Sequence, residues 1–155
     1  MKRLGGKPLC QTPITYVDIR AFAHATEDPD KVIEAVRHLL PASHVDEIIF
    51  KRRNLKGHYG NPITLFETRV KKKEIVNAIV ETLSSGLSEL NKETLQRNIN
   101  SHLEKGSLYI RLDKQAAFQE EFKLCTSDPV RIRMRFRIRR LEDIIEICRE
   151  LEMLP

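Results

Sequence analysis

Two groups of residues in this sequence have side chains suited to chemistry. The first is His24, Glu27 and Asp28, together with His58 in the string Gly57-His58-Tyr59-Gly60-Asn61-Pro62. Imidazoles beside carboxylates are the raw material of a metal site or an acid–base pair, provided the fold brings the two strings together. Each residue also has a plainer role. Asp28 before Pro29 is a helix start, Glu27 suits a helix N-terminus, His24 ends a strand and His58 is a loop donor. No nucleophile–base spacing accompanies them. P-loop, GxGxxG, GxSxG and HExxH strings are absent from the sequence. A non-enzyme without catalytic residues, metal or cofactor is the expectation, and a hydrolase using His24, Asp28 and His58 is the least favoured alternative.

The second group is Arg131, Arg133, Arg135, Arg137 and Arg139, which alternate with Val130, Ile132, Met134, Phe136 and Ile138. A strict period of two is the mark of a half-buried β-strand. The apolar set would face a core and the arginines would line the other face, about 6.6 Å apart along the strand. The guanidinium is a planar fork of donors that matches phosphate. A solvated face normally mixes charge signs. Five like charges in a row are destabilising unless acids or an anionic partner answer them. The pattern therefore favours a functional basic surface, with pairing to Glu142, Asp143 or Glu146 as the plainer alternative. Lys51, Arg52, Arg53 and Lys56 flank the glycine string and would extend the surface, as would Lys71, Lys72 and Lys73 at a helix start that favours anions. His58 is a further candidate, through stacking on an unpaired base. Tyr59 is expected to pack on the sheet edge.

The bulk composition narrows the partners. The chain has 155 residues, 41% hydrophobic and 32% charged, with a net charge of +5 and no Trp. That suits one domain over residues 1–155, with 1–12 as a ragged lead-in. Few aromatics argue against a large base-stacking platform. Cys10, Cys125 and Cys148 are widely spaced and match no zinc pattern, which fits a reducing, cytoplasmic setting. No apolar run approaches a membrane span and no signal peptide is visible, so a membrane partner is not expected.

The elements that must position these residues follow in order. Strands are expected over 14–25, 45–56, 63–70 and 107–112. Helices are expected from Asp28 to before Pro41, from Lys71 to Gly86, from an Asn91 cap to Gly106, over 113–118 and from Leu141 onward. Residues 122–125 and the arginine strand would close the chain as a hairpin around Thr126-Ser127-Asp128-Pro129. Strands joined by hairpins and interleaved with helices make an α+β domain. Its antiparallel or mixed sheet would carry helices on one face and leave the arginine face open.

With these residues assembled, the chain resembles an archaeal family of RNA-binding proteins classed as predicted exosome subunits, with a fold similar to ribosomal protein L5. The resemblance rests on His24-Ala25-Thr26-Glu27-Asp28, on Gly57 to Ile63, on Leu112-Asp113-Lys114-Gln115-Ala116-Ala117-Phe118 and on the arginine strand, spanning about 14 to 140. It implies RNA as partner, association with RNA processing or translation, and no catalytic residue. Two alternatives stay open: a protein-interaction subunit whose basic face docks an acidic partner in an RNA-processing complex, and a homodimer through the sheet.

Overall fold

The arginine strand takes a central place in the sheet. In the computed structural model, which describes residues 13–155 with the side chain of His58 excepted, it is β6 (Val130–Phe136). It pairs antiparallel with β1 (Ile14–Ala23) on one side and with β5 (Ser107–Leu112) on the other. The sheet has six strands in the order β2-β3-β1-β6-β5-β4. In it, β2 is Lys51–Lys56, β3 is Pro62–Val70 and β4 is Leu103–Glu104. Every pairing is antiparallel. The helices are α1 (Pro29–His38), α2 (Lys73–Gly86), α3 (Glu89–Arg97), α4 (Lys114–Phe118) and α5 (Leu141–Glu150), so the chain is a single α+β domain.

Period-two patterning in three strands separates the two sheet faces. Val17, Ile19 and Ala21 of β1, Ile132 and Met134 of β6, and Leu108 and Ile110 of β5 are buried. With Val36 of α1 and Val76, Ile79 and Leu83 of α2 they form one apolar core. The helix stripes are those the 3.6-residue period requires. Asp28 caps α1 by accepting from the Asp30 amide at 3.0 Å, and Pro29 follows at the first helical position. Asp113 caps α4 in the same way, accepting from the Ala116 amide at 2.8 Å. α1 docks on α4, where His38 Nδ1 meets the Ala117 carbonyl at 3.1 Å.

Several elements depart from the sequence reading. The expected hairpin of residues 122–125 with the arginine strand does not form. Leu124 makes an isolated bridge to Leu112 instead, and β6 slots between β1 and β5. Pairing two strands from opposite ends of the chain buries a whole face of β6, which a local hairpin at the sheet edge would not. The second strand is shorter than 45–56, because Val45–Glu47 is a 3-10 turn and only Lys51–Lys56 joins the sheet. The helix expected to run to Gly106 stops at Arg97, and Leu103 begins a strand. Its cap is Ser88, which accepts from the Asn91 amide. Asn91 itself donates from Nδ2 to the Phe122 carbonyl at 2.9 Å. The lead-in over 1–12 lies outside the described residues.

Candidate nucleic-acid interface

Strand register builds the face opposite the core. Residues that are Cα partners across a ladder point to the same side. One row runs Lys51, Glu67, Arg20, Arg131, Arg111, from edge strand β2 through β3, β1 and β6 to β5. The next runs Arg69, Asp18, Arg133, Tyr109. A third runs Tyr16, Arg135, Ser107 and, on edge strand β4, Glu104. Arg53 sits on the same side, opposite Leu65. Solvent reaches the side of the sheet formed by Tyr16, Asp18, Arg20, Glu67, Tyr109, Arg131 and Arg133.

Two carboxylates answer part of this charge. Asp18 accepts from Arg69 Nε at 2.7 Å and Nη2 at 2.9 Å, and lies 3.5 Å from Arg133 Nη1. The bidentate bond raises the Arg69 pKa. Glu67 holds Arg20 at 3.6 Å and Arg53 at 3.3 Å. Tyrosines support the rest: the Arg69 guanidinium lies 3.9 Å above the Tyr16 ring, and Arg111, Arg131 and Arg133 stand 5.2–5.9 Å from the Tyr109 ring. Arg133 Nε also donates to Ser107 Oγ at 3.0 Å. Arg131 has only arginines as its cross-strand partners. Burial and the neighbouring Arg20 lower its pKa, so its charge is held at a cost.

The structure sorts the residues singled out from sequence. Arg131, Arg133 and Arg135 lie on the open face as expected from their alternation, and Lys51 and Arg53 join them by register. Arg137 and Arg139 lie beyond the strand: β6 ends at Phe136, both are exposed in the segment that follows with Arg139 packed beside Gly106 near Arg135, and Ile138 is 40% exposed rather than core. The chain turns there toward α5, and Arg137 N donates to the Pro13 carbonyl. Arg52 and Lys56 have the opposite parity from Lys51 and Arg53. Arg52 faces the helix side, 3.7 Å from Asp30 and 5.5 Å above the Phe66 ring. Lys71 and Lys72 are exposed ahead of α2, and Lys73 begins it. The side chain of His58 lies outside the described residues. Tyr59 beside it does not pack on the sheet edge. It is 91% exposed at the tip of the β2–β3 hairpin, with φ +65°. A left-handed Tyr followed by left-handed Gly60 throws the ring outward. Glu142 and Glu146 pair with Arg140 and Arg149, not with the strand arginines. Sequence reading missed Arg20, Arg69, Arg111, Tyr16 and Tyr109. The alternation Tyr16-Val17-Asp18-Ile19-Arg20-Ala21 was the available signal, but its pairing with β6 was not.

The first group of residues assembles differently from the sequence expectation. His24 Nε2 meets Asp128 Oδ1 at 3.0 Å, so its carboxylate partner is Asp128 rather than Asp28, which caps α1. Glu27 joins them, and the three hold ligand atoms within 4.8 Å of one another. A cation already bridges the carboxylates. Lys114 Nζ lies 3.0 Å from Glu27 Oε1, 2.7 Å from Asp128 Oδ2 and 2.8 Å from the Phe22 carbonyl it donates to. At 12% side-chain exposure this ammonium neutralises both carboxylates in place. The cluster joins the end of β1, α4 and the loop before β6, and it uses two of the strings on which the family resemblance rests.

A sheet with helices on one side and register-aligned arginines on the other defines a single-domain α+β protein with a cation-rich face. The chain belongs to the family whose model, described as RNA binding, matches residues 16–138. It is 32% identical over 140 residues to RNA-binding protein PAB1135 of Pyrococcus abyssi, covering 86% of this chain and 90% of that one. An uncharacterized protein of Methanocaldococcus jannaschii, MJ0213, is 33% identical over 122 residues, covering 76% and 80%. The crystal structure of AF2318 from Archaeoglobus fulgidus, a DUF54 protein, superposes with a TM-score of 0.76 at 33% identity, covering 89% of this chain and 99% of the other. The fold is shared by the DUF54 protein Mth689 of Methanothermobacter thermautotrophicus, with a TM-score of 0.72 at 23% identity and coverage of 89% and 97%.

Proposed function

We propose that this protein is a non-catalytic RNA-binding module that grips the phosphate backbone with the open face of its sheet. The observation that carries this reading is the concentration of Arg20, Lys51, Arg53, Arg69, Arg111, Arg131, Arg133 and Arg135 on one face, against the acids Asp18, Glu67 and the edge residue Glu104 among the described residues. Guanidinium forks suit phosphate, and strand spacing sets them in rows. Such contacts fix affinity and register without reading sequence. Tyr59 at the hairpin tip adds a ring for stacking on an unpaired base. The resemblance to predicted exosome subunits extends the proposal to a place in cytoplasmic RNA processing or translation. Copurifying subunits that survive nuclease treatment would identify such an assembly.

The test is fluorescence anisotropy with a single-stranded RNA at low salt. Wild type is expected to bind, and Arg135→Glu with Lys51→Glu to bind at least tenfold more weakly while melting at a similar temperature. Tyr59→Ala is expected to lose roughly 1–3 kcal/mol of affinity, the usual worth of one stacked base. Stability should hold, because the ring is exposed. Absence of RNA binding by the folded wild-type protein would reject the proposal.

A further inference from the structure

The row Arg20, Arg131, Arg111 places three guanidinium groups on adjacent strands, one directly opposite the next. Neighbouring strands lie about 4.8 Å apart, and like charges set directly across a ladder repel. The local acids do not resolve this. Asp18 is taken up by Arg69 and Arg133, and Glu67 by Arg20 and Arg53. The Nε groups of Arg20 and Arg131 are shielded from solvent and have no hydrogen-bond partner among the described residues. A donor left so is costly, and a cluster left so calls for an anion.

A groove of about 530 Å³ opens beside this row. Arg20, Lys51, Arg69, Arg131 and Arg133 line it, against Asp18 and Glu67. Ile49 and Phe50 form one wall, tied to β3 by Thr68 Oγ1, which donates to the Ile49 carbonyl at 2.8 Å. The volume falls within the range of small-ligand sites, roughly 300–1,000 Å³, and suits a discrete group. A backbone phosphodiester carries one negative charge. A phosphate monoester carries about −1.5 to −2 at pH 7 and three acceptor oxygens, so it answers the excess of cations better.

We infer that the groove between the Arg20–Arg131 row and the Ile49–Phe50 wall is a seat for a phosphate monoester, the terminal phosphate of an RNA strand. This rests on the RNA-binding reading above and adds recognition of the strand end. A free nucleotide shares the chemistry, and the experiment separates the two sources.

The experiment measures binding of one oligoribonucleotide in three forms: 5′-phosphorylated, 3′-phosphorylated and hydroxyl-ended. Adenosine monophosphate and inorganic phosphate serve as competitors. One phosphorylated form is expected to bind about tenfold tighter than the hydroxyl-ended strand, or more, as charge-assisted bonds to a dianion allow. That preference should vanish in Arg131→Gln. It should also fall in Lys51→Gln, an exposed edge-strand variant that keeps the fold if Arg131→Gln does not. Equal binding of all three forms overturns the inference and leaves general RNA binding intact. Binding of adenosine monophosphate that depends on Arg131, with no binding of any oligonucleotide, supports the phosphate seat and rejects the RNA reading. No binding of any probe overturns both.

Discussion

Arg135 and Phe136 are neighbours in sequence and opposites in role. Arg135 lies on the open face and donates to the Lys105 carbonyl at 3.1 Å, while Phe136 is 2% exposed in the core. Arg135→Glu is expected to change stability by about 1 kcal/mol or less and to weaken RNA binding. Phe136→Ala is expected to cost roughly 3–5 kcal/mol and to affect RNA only through unfolding. Arg133 differs from Arg135, because its bonds to Asp18 and Ser107 make it part of the sheet's own support. Thermal melts and RNA titrations of these variants separate the roles. His102 gives a pH test. Burial lowers its pKa below the usual 6.5, so the unfolded chain takes up a proton that the folded chain refuses. By linkage, stability is then lost as pH falls below about 6.5. Melting midpoints between pH 7.5 and 5.5 should drop more for wild type than for His102→Gln.

Among the elements, the joint between the end of β1, α4 and the loop before β6 is held by one ammonium. Lys114 neutralises Glu27 and Asp128, and Asp128 sits at φ +49°. Lys114→Met leaves two carboxylates facing each other beside His24. The expected cost is about 1–3 kcal/mol in denaturant unfolding, with RNA affinity unchanged in the fraction that stays folded. An unchanged midpoint would show that the cluster is not structural. Element existence was legible in the sequence wherever period and caps agreed. Asp28-Pro29 starts α1, and the Arg/apolar alternation makes β6. What was not legible was pairing. β6 lies next to β1, more than a hundred residues away, and no turn residue encodes that contact. The expected local hairpin followed turn chemistry at Thr126–Pro129, whereas burial of both β6 neighbours decided the outcome.

At the scale of the molecule, the two sheet faces divide the work. One face buries the apolar half of β1, β5 and β6 under the helices, and the other collects the cations that register brings into rows. The candidate surface was therefore half legible. Five arginines in period two announced a basic face, but β6 carries only three of them, because the chain leaves the sheet after Phe136. Lys51 and Arg53 of β2 were visible as part of a basic run, but the remaining cations come from β1, β3 and β5, where single arginines gave no signal until pairing aligned them. Edge strand β2 carries Lys51, Arg52, Arg53 and Lys56 and is exposed along its length. Charges of one sign on an edge discourage pairing with a second copy.

The central claim is that this face holds RNA by its phosphates, and the salt dependence of RNA affinity tests it most directly. For Z phosphate contacts on a single strand, log K falls with log salt at a slope near −0.7Z. Four to six contacts from the open face predict a slope of about −3 to −4, flattening in Arg135→Glu with Lys51→Glu as contacts are removed. A slope near zero, or one that the double substitution leaves unchanged, would contradict the account.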